Sequence, residues 1–197
     1  MLARRQWLVG FLSVSLAGCG IGTVTPAPTE LDLGSPPSTP SQVTSWRFDA
    51  IALPAFNQAR QLGFEDVIWR VGMNGQPHRY ATYRWSASPS RLVRERLFER
   101  LSLHGAVLPE SINAEMPQLQ VTLMQFEQVY APDGTSNDGV VSLQAVLVRG
   151  GQVLGQFLGT ERERALENTA PAGAVALRLA TDRLLERLLQ WLAKELN

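Results

Sequence analysis

The sequence contains few of the side chains on which metal sites and disulfide frameworks depend. Of 197 residues, one is cysteine and two are histidine. A single cysteine excludes an intramolecular disulfide, so the fold must be stabilised by its hydrophobic core. His78 and His104 have no metal-ligand spacing to Cys19 or to acidic residues, and we predict no metal site. Ordinary surface or core positions are the better interpretation of both histidines.

Recognisable catalytic motifs are also absent. The sequence has no Gly-x-Ser-x-Gly nucleophile elbow, although a dispersed Ser-His-Asp arrangement stays open at this level. Gly150-Gly151 predicts a hairpin turn and not a phosphate loop, because no helix start follows it. The alternating charges of residues 161–164 are typical of a solvated strand. We therefore expect a protein that is not an enzyme and has no cofactor.

Charge is balanced, with 18 basic and 18 acidic residues. No stretch of basic residues interleaved with aromatic ones is present, so we expect no nucleic-acid partner. The long apolar run from Trp7 to Leu16 has no second example in the chain. The sequence therefore predicts no membrane-spanning helix in the rest of the protein.

The N-terminal residues have the pattern of an export signal. Arg4-Arg5 precedes the run from Trp7 to Leu16, and Leu16-Ala17-Gly18-Cys19 follows it. These four residues resemble the lipobox of bacterial lipoproteins. The resemblance implies a signal peptide over residues 1–18 and acylation of Cys19, with chains such as palmitate. Gly20 after the cysteine implies sorting to the outer membrane, on its periplasmic side.

The mature chain would consist of a tether and one globular domain. Residues 19–45 are rich in Gly, Pro, Ser and Thr and lack hydrophobic periodicity, which is typical of a flexible linker. The tether would either let the domain reach a partner or simply hold it clear of the lipid surface, and both interpretations stay open. We place the domain at residues 46–197.

Hydrophobic patterns predict the elements of this domain. Asn74-Gly75 predicts a hairpin turn, and Ser88-Pro89 predicts a helix start, with Val93, Leu97 and Leu101 on its apolar stripe. The predicted strands cover residues 46–53, 67–72, 78–83, 118–130, 139–148 and 152–164, and the helices 88–105 and 171–196. A loop joins the first two strands over residues 55–66. A change of apolar phase at Met124 predicts a bulge or a strand buried on both faces.

The order of these elements indicates an α+β fold. We expect a mixed or antiparallel sheet of about five to six strands, with two helices packed on one face. The stripe of the second helix contains Leu177, Leu184, Leu188 and Leu192, so Leu188 should be buried. Arg187 should lie on the opposite side of that helix.

Aromatic residues crowd the segment that enters the first helix. Tyr80, Tyr83 and Trp85 alternate there with arginines that include Arg84. Trp69 lies across the predicted hairpin and would be their neighbour. Core packing explains some of these rings, Trp85 above all. The candidate partner-binding residues are Trp69, Tyr80, Tyr83 and Arg84, because exposed tyrosine offers a large rigid contact with a polar end.

The order of several motifs in the domain is similar to that of a known family. After the lipobox and tether, a strand ends at Leu53-Pro54, residues 67–70 are apolar residues before an arginine, and Asn74-Gly75 follows. Residues 83–89 then contain an Arg-Trp-Ala-x-Pro-like stretch before the first helix, and this stretch is the most distinctive. In these features the chain resembles the ABC-type transport auxiliary lipoproteins, and the likeness covers about residues 46–196.

The resemblance implies an accessory, non-enzymatic component of a lipid transport system. Such a system has an ABC transporter and a substrate-binding protein of the mammalian-cell-entry (MCE) type, which would be the partner. The lipoprotein would be attached to the outer membrane by its lipid. The alternative is an assembly lipoprotein that plugs or chaperones an outer-membrane β-barrel. Both interpretations leave open whether the protein forms a homo-oligomer.

Overall fold

The computed structural model describes residues 27–35 and 46–196. The predicted signal peptide, Cys19 and the remainder of the predicted tether lie outside the described residues.

The described residues form nine strands and two α-helices, with a short 3-10 turn at Arg60–Gly63. The strands are β1 (Thr29–Leu31), β2 (Ala50–Ala52), β3 (Asn57–Gln58), β4 (Asp66–Val71), β5 (His78–Trp85), β6 (Ala106–Leu108), β7 (Gln118–Tyr130), β8 (Asn137–Arg149) and β9 (Gln152–Arg164). The helices are α1 (Pro89–Ser102) and α2 (Ala170–Leu196).

The predicted fold class is wrong in the size of its sheet. Nine strands replace the five to six that we expected, and the fold is more sheet than helix. The unpredicted strands β1, β3 and β6 are two or three residues long, too short for a hydrophobic period of their own. They form because their backbones pair with neighbouring strands. β1 lies within the segment predicted as a tether and pairs with β5 of the sheet.

The three longest strands form the antiparallel meander β7–β8–β9, in which β7 is central and β9 is an edge strand. β7 pairs with β8 from Gln118↔Val148 to Tyr130↔Asn137, and β8 pairs with β9 along its whole length. Gly150 and Gly151 make the second turn with φ of 59° and 75°, a conformation that glycine adopts without strain. The register shift between Leu123 and Gln125 confirms the predicted bulge.

The other edge of β7 is shared by three short parallel partners, β2, β3 and β4 in succession. β4 pairs with the last residues of β7, and β5 and then β1 extend the sheet from there. The β4–β5 turn (residues 72–77) and the β7–β8 turn (residues 131–136) therefore lie at one end of the molecule, which we call the tip. Thirteen residues of β7 separate the tip from the opposite end by about 40 Å.

The two helices contribute to one core with the sheet. Val93, Leu97 and Leu101 of α1 are fully buried, as their spacing predicted. α2 approaches β8 closely at Gly139, where a Cβ atom would come within 2.5 Å of the Leu177 backbone nitrogen. In the part of the chain that the structure describes, no helix combines the length and apolar character needed to cross a membrane.

A buried arginine holds the N-terminal segment, residues 27–35, against the helices. Arg96 of α1, with a relative exposure of 4%, donates to both carboxylate oxygens of Asp182 on α2, at 2.6 and 2.9 Å. The same guanidinium donates to the carbonyl oxygens of Leu33, at 3.2 Å, and Gly34, at 2.9 Å. Arg100 adds a second bond to Asp182 at 2.9 Å. This Asp182 cluster therefore fixes the backbone at Leu33 and Gly34 against α1 and α2.

Candidate functional site

The β4–β5 hairpin forms the core of the tip, and its Asn-Gly turn was predicted correctly. Arg70 stabilises this turn from below. Its Nη1 donates to the carbonyl oxygens of Met73, at 3.4 Å, and Gly75, at 3.2 Å. Its Nη2 lies 2.7 Å from the buried carboxylate of Glu127 on β7. The turn is therefore fixed to the central strand.

β5 bulges in the middle of the hairpin. Ile68 pairs with Arg79 and Asp66 pairs with Arg84, so residues 80–83 face Val67 alone. A bulge of this kind redirects side chains out of the regular alternation. As a result the rings of Tyr80 and Tyr83 meet edge to face, with centroids 6.1 Å apart.

Trp69 on β4 is the centre of a larger aromatic cluster. Its ring stacks on His78 at 4.6 Å and meets Tyr130 of β7 edge-on at 5.7 Å. Tyr80 lies 6.1 Å from it. Rings at these separations attract one another beyond the burial of their apolar area. The cluster joins the β4–β5 hairpin to β7, whose Tyr130 lies 50 residues after Tyr80.

A buried amide connects the cluster to α2. The Tyr80 hydroxyl donates to Gln128 Oε1 at 2.8 Å and lies 2.6 Å from the Tyr130 hydroxyl. Gln128 Nε2 donates to Asn137 Oδ1 at 2.6 Å and to the Thr169 carbonyl, just before α2, at 3.0 Å. Burial first, and then the bond to Tyr130, raise the pKa of Tyr80 far above its ordinary value. The Tyr80 hydroxyl therefore keeps its proton at neutral pH and can donate it to Gln128.

Two open grooves flank β5: the apolar groove lies at the tip, and the charged groove extends from the same ridge toward the start of β4. The apolar groove has a volume of about 460 Å³ and the charged groove about 500 Å³. The apolar groove is lined by Trp69, Val71, Arg79, Tyr80, Ala81, Tyr130, Ala131, Pro132 and Gly134. The charged groove is lined by Pro28, Phe64, Glu65, Asp66, Arg79, Tyr80, Ala81, Tyr83 and Arg84. Arg79, Tyr80 and Ala81 form the ridge between them.

The four predicted partner-binding residues are distributed over these grooves. Trp69 lines the apolar groove, Tyr83 and Arg84 line the charged groove, and Tyr80 borders both. Tyr83 is half-buried and not fully exposed as expected. Arg84 pairs with Glu30 of β1 at 2.5 Å. Trp85 is a core residue packed on Phe126, as predicted.

Sequence reasoning missed Tyr130, Gln128 and the role of His78. Tyr130 reaches the cluster because β4 pairs in parallel with the end of β7, with Val71 opposite Tyr130. No local pattern in either segment encodes that long-range register. Over residues 27–35 and 46–196, no three metal-ligating side chains lie together.

Replacing Tyr80 by phenylalanine should lower the free energy of unfolding by about 1–2 kcal/mol, because Gln128 then has a buried acceptor without its donor. Urea denaturation of the two proteins measures the difference. Tyr83→Phe is the matched control, because the Tyr83 ring contacts Tyr80 while its hydroxyl has no hydrogen bond to a described residue. Equal losses in the two variants would contradict the Gln128 network.

Several solved structures share this fold. The crystal structure of protein XCC0632 from Xanthomonas campestris, assigned to the family model DUF330, superimposes with a TM-score of 0.66 and 18% identity over 86% of this chain and 95% of that chain. An uncharacterized protein matches with a TM-score of 0.65 and 13% identity, over 85% of this chain and 99% of its own. The hypothetical protein CT253 from Chlamydia trachomatis matches with a TM-score of 0.51 and 7% identity, over 75% and 97%.

At these identities the likeness establishes the fold alone. No family model matches the chain, and no curated protein matches its sequence. Function is therefore inferred from the sequence pattern and the surface around β5.

Proposed function

We propose that this chain is an accessory lipoprotein of the Gram-negative envelope that works, without catalysis, in an ABC/MCE-type lipid transport system. Its lipid would be attached at Cys19, and its domain would face the periplasm from the outer membrane. The MCE protein would be its partner. The resemblance at residues 83–89 supports the assignment, and the fold shared with XCC0632 is consistent with it.

The observation that carries the proposal is the position of the two grooves relative to the residues that follow the proposed anchor at Cys19. β1 pairs in parallel with β5, with Thr29 opposite Tyr83. Pro28 itself lines the charged groove. A chain anchored before Pro28 would therefore hold both grooves near the membrane, where a protein that passes lipid between a partner and a bilayer needs its contacts.

The charged groove has the composition of a protein-binding surface. Tyr83 and the exposed ring of Phe64 supply apolar contact area, and Arg84 and Arg79 supply charge at the edge. Tyrosine and arginine are enriched among the residues that dominate binding energy at protein interfaces. We assign the MCE partner to this groove.

Cys19→Ala should abolish lipidation and leave an unprocessed precursor. Metabolic labelling with a fatty acid, followed by gel analysis of precursor and mature forms, measures both effects. In the wild type, globomycin should cause the precursor to accumulate. Retention of the label in the variant, or processing that globomycin does not change, would contradict the lipoprotein assignment.

Capture from solubilised envelope tests the proposed partner. The full-length tagged protein should retain the cognate MCE protein. Arg84→Ala should weaken that capture while the melting temperature stays close to the wild type, because Arg84 is exposed and its ion pair with Glu30 lies on the surface. Ile112→Ala is the control, since Ile112 is 73% exposed and lies at the end of the sheet opposite the tip. Capture of an outer-membrane barrel protein without an MCE protein would instead support the assembly-lipoprotein alternative.

A further inference from the structure

We propose that the apolar groove binds one acyl chain of a membrane lipid. The inference rests on the proposed membrane anchoring and names the substrate class that the tip would receive. It concerns the groove on the β4 side of the ridge, separate from the charged groove assigned to the protein partner.

The lining of the groove is suited to a hydrocarbon chain. Trp69, Tyr80 and Tyr130 present three rings, and Val71, Ala131 and Pro132 complete the apolar surface. The tyrosine hydroxyls bond to each other and to Gln128, so the polar ends of both rings already have partners. A volume of about 460 Å³ lies within the range of about 300–1,000 Å³ that is usual for ligand sites.

The groove is also rigid before any ligand arrives. Val71 and Trp69 are paired in register with β7, and Arg70 between them is fixed to Glu127. The ring contacts and the Gln128 network hold the opposite wall. A preformed apolar site binds without a large ordering cost.

The length of the anchored chain places the groove within reach of the bilayer. Eight residues lie between Cys19 and Pro28, and the nine residue-to-residue steps of that segment span about 32 Å at most when fully extended. The Asp182 cluster and the β1–β5 pairing hold residues 29–35 on the domain, so these residues do not lengthen the tether. The groove would therefore stay close to the headgroups of the membrane that holds the lipid anchor.

The edge of the groove offers a cation to a lipid headgroup. Arg79 lies on the ridge, with its side chain mostly exposed, and pairs with Asp66 at 3.2 Å. An arginine at the mouth of an apolar groove can bond a phosphate while the acyl chain lies inside. The expected ligand is a phospholipid of the bilayer and not the protein's own acyl group.

Photo-crosslinking in vesicles tests the proposal. The lipidated full-length protein is reconstituted into phosphatidylethanolamine vesicles that contain a phospholipid with a diazirine in its acyl chain. Irradiation should give adducts that mass spectrometry locates in residues 69–71, 79–81 and 130–132. The reactive group is on the free lipid only, so an anchor chain occupying the groove would give no adduct there and would overturn the proposal.

A matched pair of variants distinguishes the groove from general membrane contact. Val71→Asp places a charge in the groove at a residue that is 45% exposed, and Leu158→Asp makes the same change on β9 at 62% exposure. Adducts at the tip should fall about tenfold or more in Val71→Asp, because an apolar site strongly disfavours a charge. Leu158→Asp should leave them unchanged, and both variants should keep the wild-type melting temperature.

Equal adduct yields in the two variants, or adducts concentrated elsewhere on the domain, would overturn the acyl-chain site. The result is separable from the proposed function. If lipid adducts are lost while the MCE protein is still captured, the acyl-chain site is wrong and the assignment of the partner stands. If adducts form in the groove but no MCE protein is captured, the acyl-chain site stands and the assignment to that transport system is wrong.

Discussion

Replacing Asp182 by alanine should lower the free energy of unfolding by about 3–5 kcal/mol, since it leaves buried guanidinium groups without their principal carboxylate. Arg96 would keep only the carbonyl groups of the N-terminal segment, and Arg100 would keep Glu186, 3.5 Å away. Urea denaturation measures the loss. Limited proteolysis should also show earlier cleavage within residues 27–35, because the cluster that holds them has lost its centre.

Glu95→Ala is the control for this experiment. Glu95 pairs with Arg91 on the surface of α1, where an exposed ion pair contributes about 0–1 kcal/mol. The triple variant Arg96→Met, Arg100→Met and Asp182→Leu should recover part of the lost stability, because it removes the three charges of the cluster together. If Asp182→Ala lowers the free energy of unfolding no more than Glu95→Ala does, the role assigned to the Asp182 cluster is wrong.

Leu188→Ala should lower the free energy of unfolding by about 2–5 kcal/mol through lost burial and the cavity that remains. Leu188 is fully buried in the core between α2 and the sheet, as its position on the apolar stripe predicted. Denaturation in urea at constant pH measures the difference. The slope of the transition should stay the same, because the surface exposed on unfolding hardly changes.

Leu179→Ala is the matched control on the same helix. Leu179 is 40% exposed, so the same substitution there should cost less than about 1 kcal/mol. Arg187, predicted to lie on the opposite side of α2, is half-exposed and pairs with Glu161 at 2.5 Å. Similar losses at Leu188 and Leu179 would mean that the faces of α2 are misassigned.

The long elements could be predicted from the sequence because their patterns are local. Alternation at the start of residues 118–130 predicted β7, the Gly150-Gly151 turn predicted the strand β9 after it, and Pro89 predicted the start of α1. β1 could not be found in this way. Thr29–Leu31 has no hydrophobic period, and its strand exists because β5 offers a backbone edge and Arg96 holds the carbonyl groups that follow.

Only part of the candidate site could be predicted from the sequence, for the same reason. Tyr80 and Tyr83 were predicted because aromatic residues crowd one segment, and Trp69 because the Asn-Gly hairpin brings it next to them. Tyr130 and Gln128 lie about fifty residues further along the chain. They reach the cluster through a parallel pairing of β4 with β7 that no turn or motif specifies. Residues of the β5 bulge line both grooves, and no local pattern predicted that bulge.

The most direct test of the proposed function is site-specific photo-crosslinking in living cells, with a photoreactive amino acid at position 84 of the lipidated protein. Arg84 is exposed and lines the charged groove. A parallel protein carries the photoreactive residue at Ile112, at the end of the sheet opposite the tip. The proposed function predicts a crosslink to the MCE protein from position 84 and none from position 112. A crosslink to that protein from position 112 alone, or from position 84 to an outer-membrane barrel protein instead, would contradict it.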